Sequence, residues 1–132
     1  MHTHSIVISL TSQRLTAYEG DTVIASTVVT TGSQDLPTVT GRFHIMEKHT
    51  PYTFNSPWGP GSAYYYAPLK VNYAMLFEAT GYFIHDAWWQ RNFGPGGNLI
   101  TGSHGCVNVP TDAMPAIYQW AQVGDEVIVT ES

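Results

Sequence analysis

The chain is short of charge. Only 11% of its 132 residues are Asp, Glu, Lys or Arg, where globular domains average roughly 25%. Its surface must take its polarity from Ser, Thr, Asn, Gln and Tyr, which suits a β-rich extracellular protein. Five Lys and Arg are scattered along the chain, and the net charge is −5. There is no basic stripe, so nucleic acid and anionic membrane surfaces are not expected partners. No apolar run approaches the ~18 residues of a membrane span. The opening MHTHSIVISL has neither a basic start nor a small-residue cleavage site, so no signal peptide is expected in it. There is one cysteine, Cys106. An internal disulfide is therefore excluded, and a lone thiol raises the question of reactivity. Internal repeats and low-complexity tracts are also missing.

What is present favours a single mainly β domain, residues 1–132. The length suits one domain with a real core, and 43% hydrophobic residues argue against disorder. SIVISLTSQRLTAYEGDTVIASTVVTTG reads as a meander. Ile6, Ile8 and Leu10 alternate at the strand period, and Glu19-Gly20-Asp21 marks a hairpin. GRFHIME and YAMLFEATGYFIHD predict further strands, the second split by a Thr80-Gly81 turn. Between them, residues 50–68 carry four prolines, two glycines and several aromatics, as a lid or binding loop would. PTDAMPAIYQWAQVGD is the one helix candidate. Thr111 is its expected cap, Gly124 its expected stop, and Ile117, Trp120 and Ala121 share a face. DEVIVT closes the chain as a strand.

The chemistry gathers around TGSHGCVNVP, residues 101–110. A thiol needs a partner to act as a nucleophile near neutral pH, and a histidine within reach can take its proton. His104 lies two positions away, on the same face if the backbone is extended. His85 ends a predicted strand, and both flank a glycine-rich loop. Gly105 lets the chain turn with no Cβ in the way, so that backbone N–H groups can face a developing oxyanion. Ser103 and Asn108 could orient a histidine or bind a substrate amide. Singly, a lone cysteine is most often a small buried hydrophobe. His85, His104 and Cys106 could also be read as three zinc ligands, but no CxxC or HExxH spacing supports a metal. The glycines of GPGG at 94–97 fit no nucleotide motif. No cofactor is expected.

SHGCVN resembles the signature of the L,D-transpeptidases, bacterial cell-wall enzymes whose pattern joins a histidine to a downstream Ser/Thr-His-Gly-Cys. Here 17 residues separate His85 from Ser103, the long end of that pattern's spacing. The likeness extends to the opening strands, to LPTVTGRFHI, and to the closing helix and strand. Asn108 stands where many relatives carry Arg. The resemblance implies a β-sandwich-like catalytic domain with one helix after the cysteine. It implies Cys106 as nucleophile, attacking the L,D-peptide bond before D-Ala of a peptidoglycan stem, and His85 as base. His104, Gly105 and Cys106 would form the oxyanion hole through their N–H groups, with the His104 side chain supporting the site. The base would be oriented by a neighbouring backbone carbonyl or by the Asp86 side chain. The thioester would pass to an amine, giving 3→3 cross-links. Water as acceptor would make an L,D-carboxypeptidase, and a protein amine would anchor that protein to the wall. A non-catalytic wall-binding module is the rival of another class. Asn108 and Ser103 are the expected polar substrate contacts. Among the aromatics Tyr64, Tyr65, Tyr66, Tyr73, Trp88 and Trp89, Trp89 and Tyr73 are the expected cleft residues. Carbapenem-type β-lactams are the expected covalent inhibitors, and an extracytoplasmic location is implied.

Overall fold

The computed structural model describes residues 3–132. Its elements run β1 (His4–Ser9), β2 (Arg14–Glu19), β3 (Thr22–Val28), β4 (Gly41–His44), β5 (Glu47–His49), β6 (Tyr52–Phe54), β7 (Leu69–Val71), β8 (Ala74–Glu78) and β9 (Tyr82–Asp86). Then come α1 (Asn98–Thr101), β10 (Val107–Val109), α2 (Met114–Trp120) and β11 (Glu126–Thr130). One sheet has the order β3-β2-β1-β11-β4, a second β10-β9-β8-β5, and β6 pairs with β7 as a ribbon.

The predicted alternation builds the first sheet. Ile6 stands opposite Ala17 on one side and Val127 on the other. Ile8 stands likewise between Leu15 and Val129. All six are buried on one face and join a single cluster. The second sheet is two-faced in the same way. Met75, Ile84, Val107 and Val109 face that shared core. With side chains alternating along each strand, Ala74, Phe83, His85 and Asn108 lie on the opposite face. Val71 of the ribbon joins Ala74 and Phe83 in a second, smaller cluster against which Tyr52 and Phe54 pack. The candidate site residues His85 and Asn108 thus sit on the outer face of the second sheet, the face that carries the ribbon's cluster.

The helix expectation needs three corrections. The chain first turns at Pro110, whose carbonyl accepts from both the Ala113 and Met114 N–H groups. The helix then starts at Met114, with Ala113 and not Thr111 at the N-cap position. Pro115 lies in the first turn, where a proline needs no partner. Ala121 is extended and ends the helix before Gly124, which belongs to the next turn. The expected inner face is real: Met114, Ile117 and Ala121 are buried in the main core and Trp120 packs against it. A second helix, the four-residue α1, occupies the stretch read as glycine-rich loop. It precedes the cysteine.

No helix among the described residues is long and apolar enough to cross a membrane.

Candidate active site

Two adjacent parallel strands set the site. β10 runs beside β9 with Asn108 opposite His85 and Val107 opposite Ile84. Cys106 immediately precedes β10. His85, Cys106 and Asn108 therefore open into one cavity of about 490 Å³. Its walls are aromatic and aliphatic on the ribbon side, from Phe54, Tyr66 and Leu69, and polar on the side of Gln90 and Thr101.

His85 is only 4% exposed. Its ring packs beside Phe54 and Trp89, with centroids 4.8 and 5.8 Å away. Nδ1 donates to the Asp86 carbonyl at 2.7 Å. A carbonyl can only accept, so this bond places the proton on Nδ1 and leaves Nε2 with a free lone pair in the neutral ring. Burial lowers the His85 pKa below its usual 6.5, against the opposing pull of the Asp86 carbonyl and carboxylate. The orienting group is thus the Asp86 backbone. Its carboxylate is turned away and accepts the Asn72 and Tyr73 N–H groups at 3.0 and 2.7 Å, which pins the turn between β7 and β8.

Burial also pushes the Cys106 thiol up to about 11, opposed by a Phe83 backbone contact. The thiol reaches the Gly81 carbonyl at 3.8 Å. At neutral pH both groups are uncharged, so proton transfer must accompany attack. This arrangement suits a general base acting on a thiol, and it differs from a standing thiolate–imidazolium pair.

The turn that carries the thiol is bound internally. The Ser103 hydroxyl donates to the Cys106 carbonyl and accepts the Gly105 N–H at 3.1 Å. Two sequence expectations change here. Ser103 lines the cavity, but its hydroxyl is engaged by its own turn. The Gly105 N–H is engaged too, so of the three expected oxyanion donors only those of His104 and Cys106 are left. Gly105 has φ +120°, and a Cβ there would lie 2.8 Å from Tyr82 Cε1. Gly105→Ala should therefore cost about 1–3 kcal/mol in strain and tilt the Cys106 thiol. Thermal unfolding together with the rate of covalent adduct formation checks this; an alanine variant with unchanged Tm and rate would contradict it.

His104 is exposed. Its ring stacks on Tyr66 (5.4 Å, 27°) and meets Trp58 edge-on at 5.3 Å. Because the chain turns at Gly105, the extended geometry that would align His104 with Cys106 is not adopted. The histidine contacts the loop at the tip of the ribbon, the expected lid segment. Asn108 is 2% exposed, and its Oδ1 has no hydrogen-bond partner among the described residues. Trp89 lines the cavity. Tyr73 does not: its ring lies 4.8 Å from Tyr118 of α2, on the core side of the sheet, and only its backbone serves the site. Among the described residues no group of three His, Cys, Asp or Glu side chains is arranged to hold a metal ion.

Gln90 was not legible as a site residue. It is buried, and its side-chain amide binds Thr101 through both oxygen and nitrogen while accepting the Arg91 and Asn92 N–H groups. It braces the cavity wall between β9 and α1. A lone glutamine in a loop carries no spacing that could have marked it.

A buried histidine with a fixed tautomer and a thiol that both line one cavity, on a two-sheet scaffold, define a site of the cysteine–histidine class. A family model for the L,D-transpeptidase catalytic domain matches residues 3–129, and the chain belongs to that family. Over 128 residues it is 27% identical to L,D-transpeptidase 1 of Mycobacterium tuberculosis, covering 93% of this chain and 49% of that protein. The chain thus spans about half the length of that curated relative. An NMR structure of the catalytic domain of the Enterococcus faecium L,D-transpeptidase superposes with a TM-score of 0.83 at 30% identity, covering 98% of both chains. The structure of the LD transpeptidase LdtMt1 in complex with imipenem superposes with a TM-score of 0.88 at 26% identity, covering 98% of this chain and 59% of that one.

Proposed function

We propose that this chain, acting as one catalytic domain over residues 1–132, is a peptidoglycan L,D-transpeptidase working outside the cytoplasm. The observation that carries the reading is the convergence of His85 and Cys106 on one cavity, with the His85 tautomer set by the Asp86 carbonyl. Family membership supplies the substrate class, a stem tetrapeptide ending in D-Ala.

In this reading the thiol leaves the Gly81 carbonyl and turns to Nε2 of His85, which takes its proton. Sγ bonds to the carbonyl carbon of the residue before D-Ala, and the oxyanion is held by the N–H groups of Cys106 and His104. His85 returns the proton to the departing amine, the C–N bond breaks, and D-Ala leaves a thioester on Cys106. An amine from a second stem then attacks the thioester carbonyl and yields its proton to His85. The thiolate departs and is reprotonated. Asn108, which lines the cavity beside His85, contacts the backbone of the donor peptide, and Trp89 supports its apolar portion. Carbapenem-type β-lactams acylate the same sulfur, in keeping with the relative solved with imipenem.

Incubation with a tetrapeptide donor, with and without an amine acceptor, tests this by mass spectrometry of the products. Cross-linked product in the presence of the amine is expected. Tripeptide alone under both conditions would identify an L,D-carboxypeptidase. Unchanged tetrapeptide would sink the enzymatic reading and leave a wall-binding module.

A further inference from the structure

The loop between β3 and β4 places a buried hydroxyl directly behind the nucleophile's turn. Thr38 is 3% exposed. Its Oγ1 donates to the Gly105 carbonyl at 2.7 Å and accepts the Gly32 N–H at 2.8 Å. A hydroxyl has one proton to give, and that proton goes to Gly105. Thr38 itself is not among the residues that line the cavity.

The carbonyl of residue 105 and the N–H of residue 106 belong to one planar peptide unit. The Gly105–Cys106 bond does not precede a proline, so the unit is trans, and in a trans unit the two groups point in opposite directions. A bond that holds the Gly105 oxygen toward Thr38 therefore aims the Cys106 N–H away from it, to the side where His104 and Cys106 border the cavity. The unit needs such a lock. Glycine at 105 is conformationally permissive, so its own φ and ψ resist rotation of the plane only weakly. The Gly105 N–H is already bonded to Ser103. Among the described residues the Cys106 N–H has no acceptor of its own.

We propose that Thr38 is a positioning residue for the reaction: by holding the Gly105 carbonyl it points the Cys106 N–H at the oxyanion formed when Cys106 attacks a carbonyl. The inference rests on the acyl-transfer reading above. Thr38 touches no substrate. It acts through one peptide plane, 67 residues away in sequence.

The test compares two reactions of the same sulfur. Acylation by a carbapenem-type β-lactam passes through an oxyanion. Alkylation by iodoacetamide displaces iodide and passes through none. Thr38→Val keeps the shape and removes the hydroxyl, so acylation should fall about 100-fold, the scale of a lost oxyanion donor, while alkylation keeps its rate. Thr38→Ser keeps the hydroxyl and should restore acylation. A Thr38→Val protein that acylates at the unaltered rate would overturn the proposal. So would acylation and alkylation falling together in a folded variant, which would mark Thr38 as merely structural. Should Thr38→Val fail to fold, amide hydrogen exchange of the unaltered protein decides. The Gly105 N–H should be protected, and the Cys106 N–H should exchange freely and become protected in the acyl-enzyme. Protection of the Cys106 N–H before acylation would contradict the geometry. If the unaltered protein forms no adduct with any donor, the acyl-transfer reading fails, and exchange at Gly105 and Cys106 in the free protein still tests the peptide-plane geometry by itself.

Discussion

Cys106→Ala should form no covalent adduct with a stem tetrapeptide or with a carbapenem-type β-lactam. The chain has no other cysteine, so no second thiol can stand in. The neighbouring hydroxyls are engaged elsewhere: that of Ser103 is held between the Cys106 carbonyl and the Gly105 N–H, and that of Thr101 donates to Gln90. The substitution removes one sulfur from a half-buried position, and the fold should survive it with little change in Tm. Intact mass after incubation reads the result. An adduct on the alanine variant would place the nucleophile elsewhere and undo the mechanism.

Replacing His85 by alanine should slow acylation by about 100- to 10,000-fold, the range for a lost general base. His44→Ala and His49→Ala serve as controls. His44 lies on β4 of the other sheet, and His49 is paired with Glu47 on the edge strand β5. Equal losses at all three positions would indicate a folding effect. The pH dependence is a second readout of the same group. Only neutral His85 can accept a proton, and burial has moved its pKa below 6.5. The acylation rate should therefore rise on the acid side of 6.5 and stay level through neutrality. A reaction limited by free thiolate would instead keep climbing toward the thiol's pKa of about 11. The stability linkage has the same sign. A histidine with a depressed folded pKa stabilises the fold above its unfolded pKa, and that contribution is lost as pH falls through the folded value.

The scaffold was readable because burial in a two-sheet protein imposes a period of two. Ile6, Ile8, Ile84 and Val109 declare their faces through their neighbours, and β9 then carries His85 to the face opposite Ile84. The candidate nucleophile and its candidate base were readable for a different reason: Cys106 has no rival, and its surroundings resemble a known motif. What escaped depends on long-range geometry. Thr38 meets Gly105 only after the β3–β4 loop folds behind the turn. Tyr73 looked like a cleft aromatic, yet the turn that leads into β8 directs its ring to Tyr118. The start of α2 could not be read from Thr111, because Pro110 makes a turn that delays the helix to Met114. The orienter of His85 was open between a neighbouring backbone carbonyl and the Asp86 side chain. The answer, backbone and not side chain, follows from Asp86 alternating to the face where the Asn72 and Tyr73 amides wait.

The most direct test of the acyl-transfer account is peptide mapping of the unaltered protein, quenched in acid during turnover of a tetrapeptide donor. A tripeptide acyl mass is expected on the peptide that contains Cys106, together with released D-Ala in equal amount. D-Ala released with no acyl group on Cys106, or an acyl group on any other residue, would contradict it.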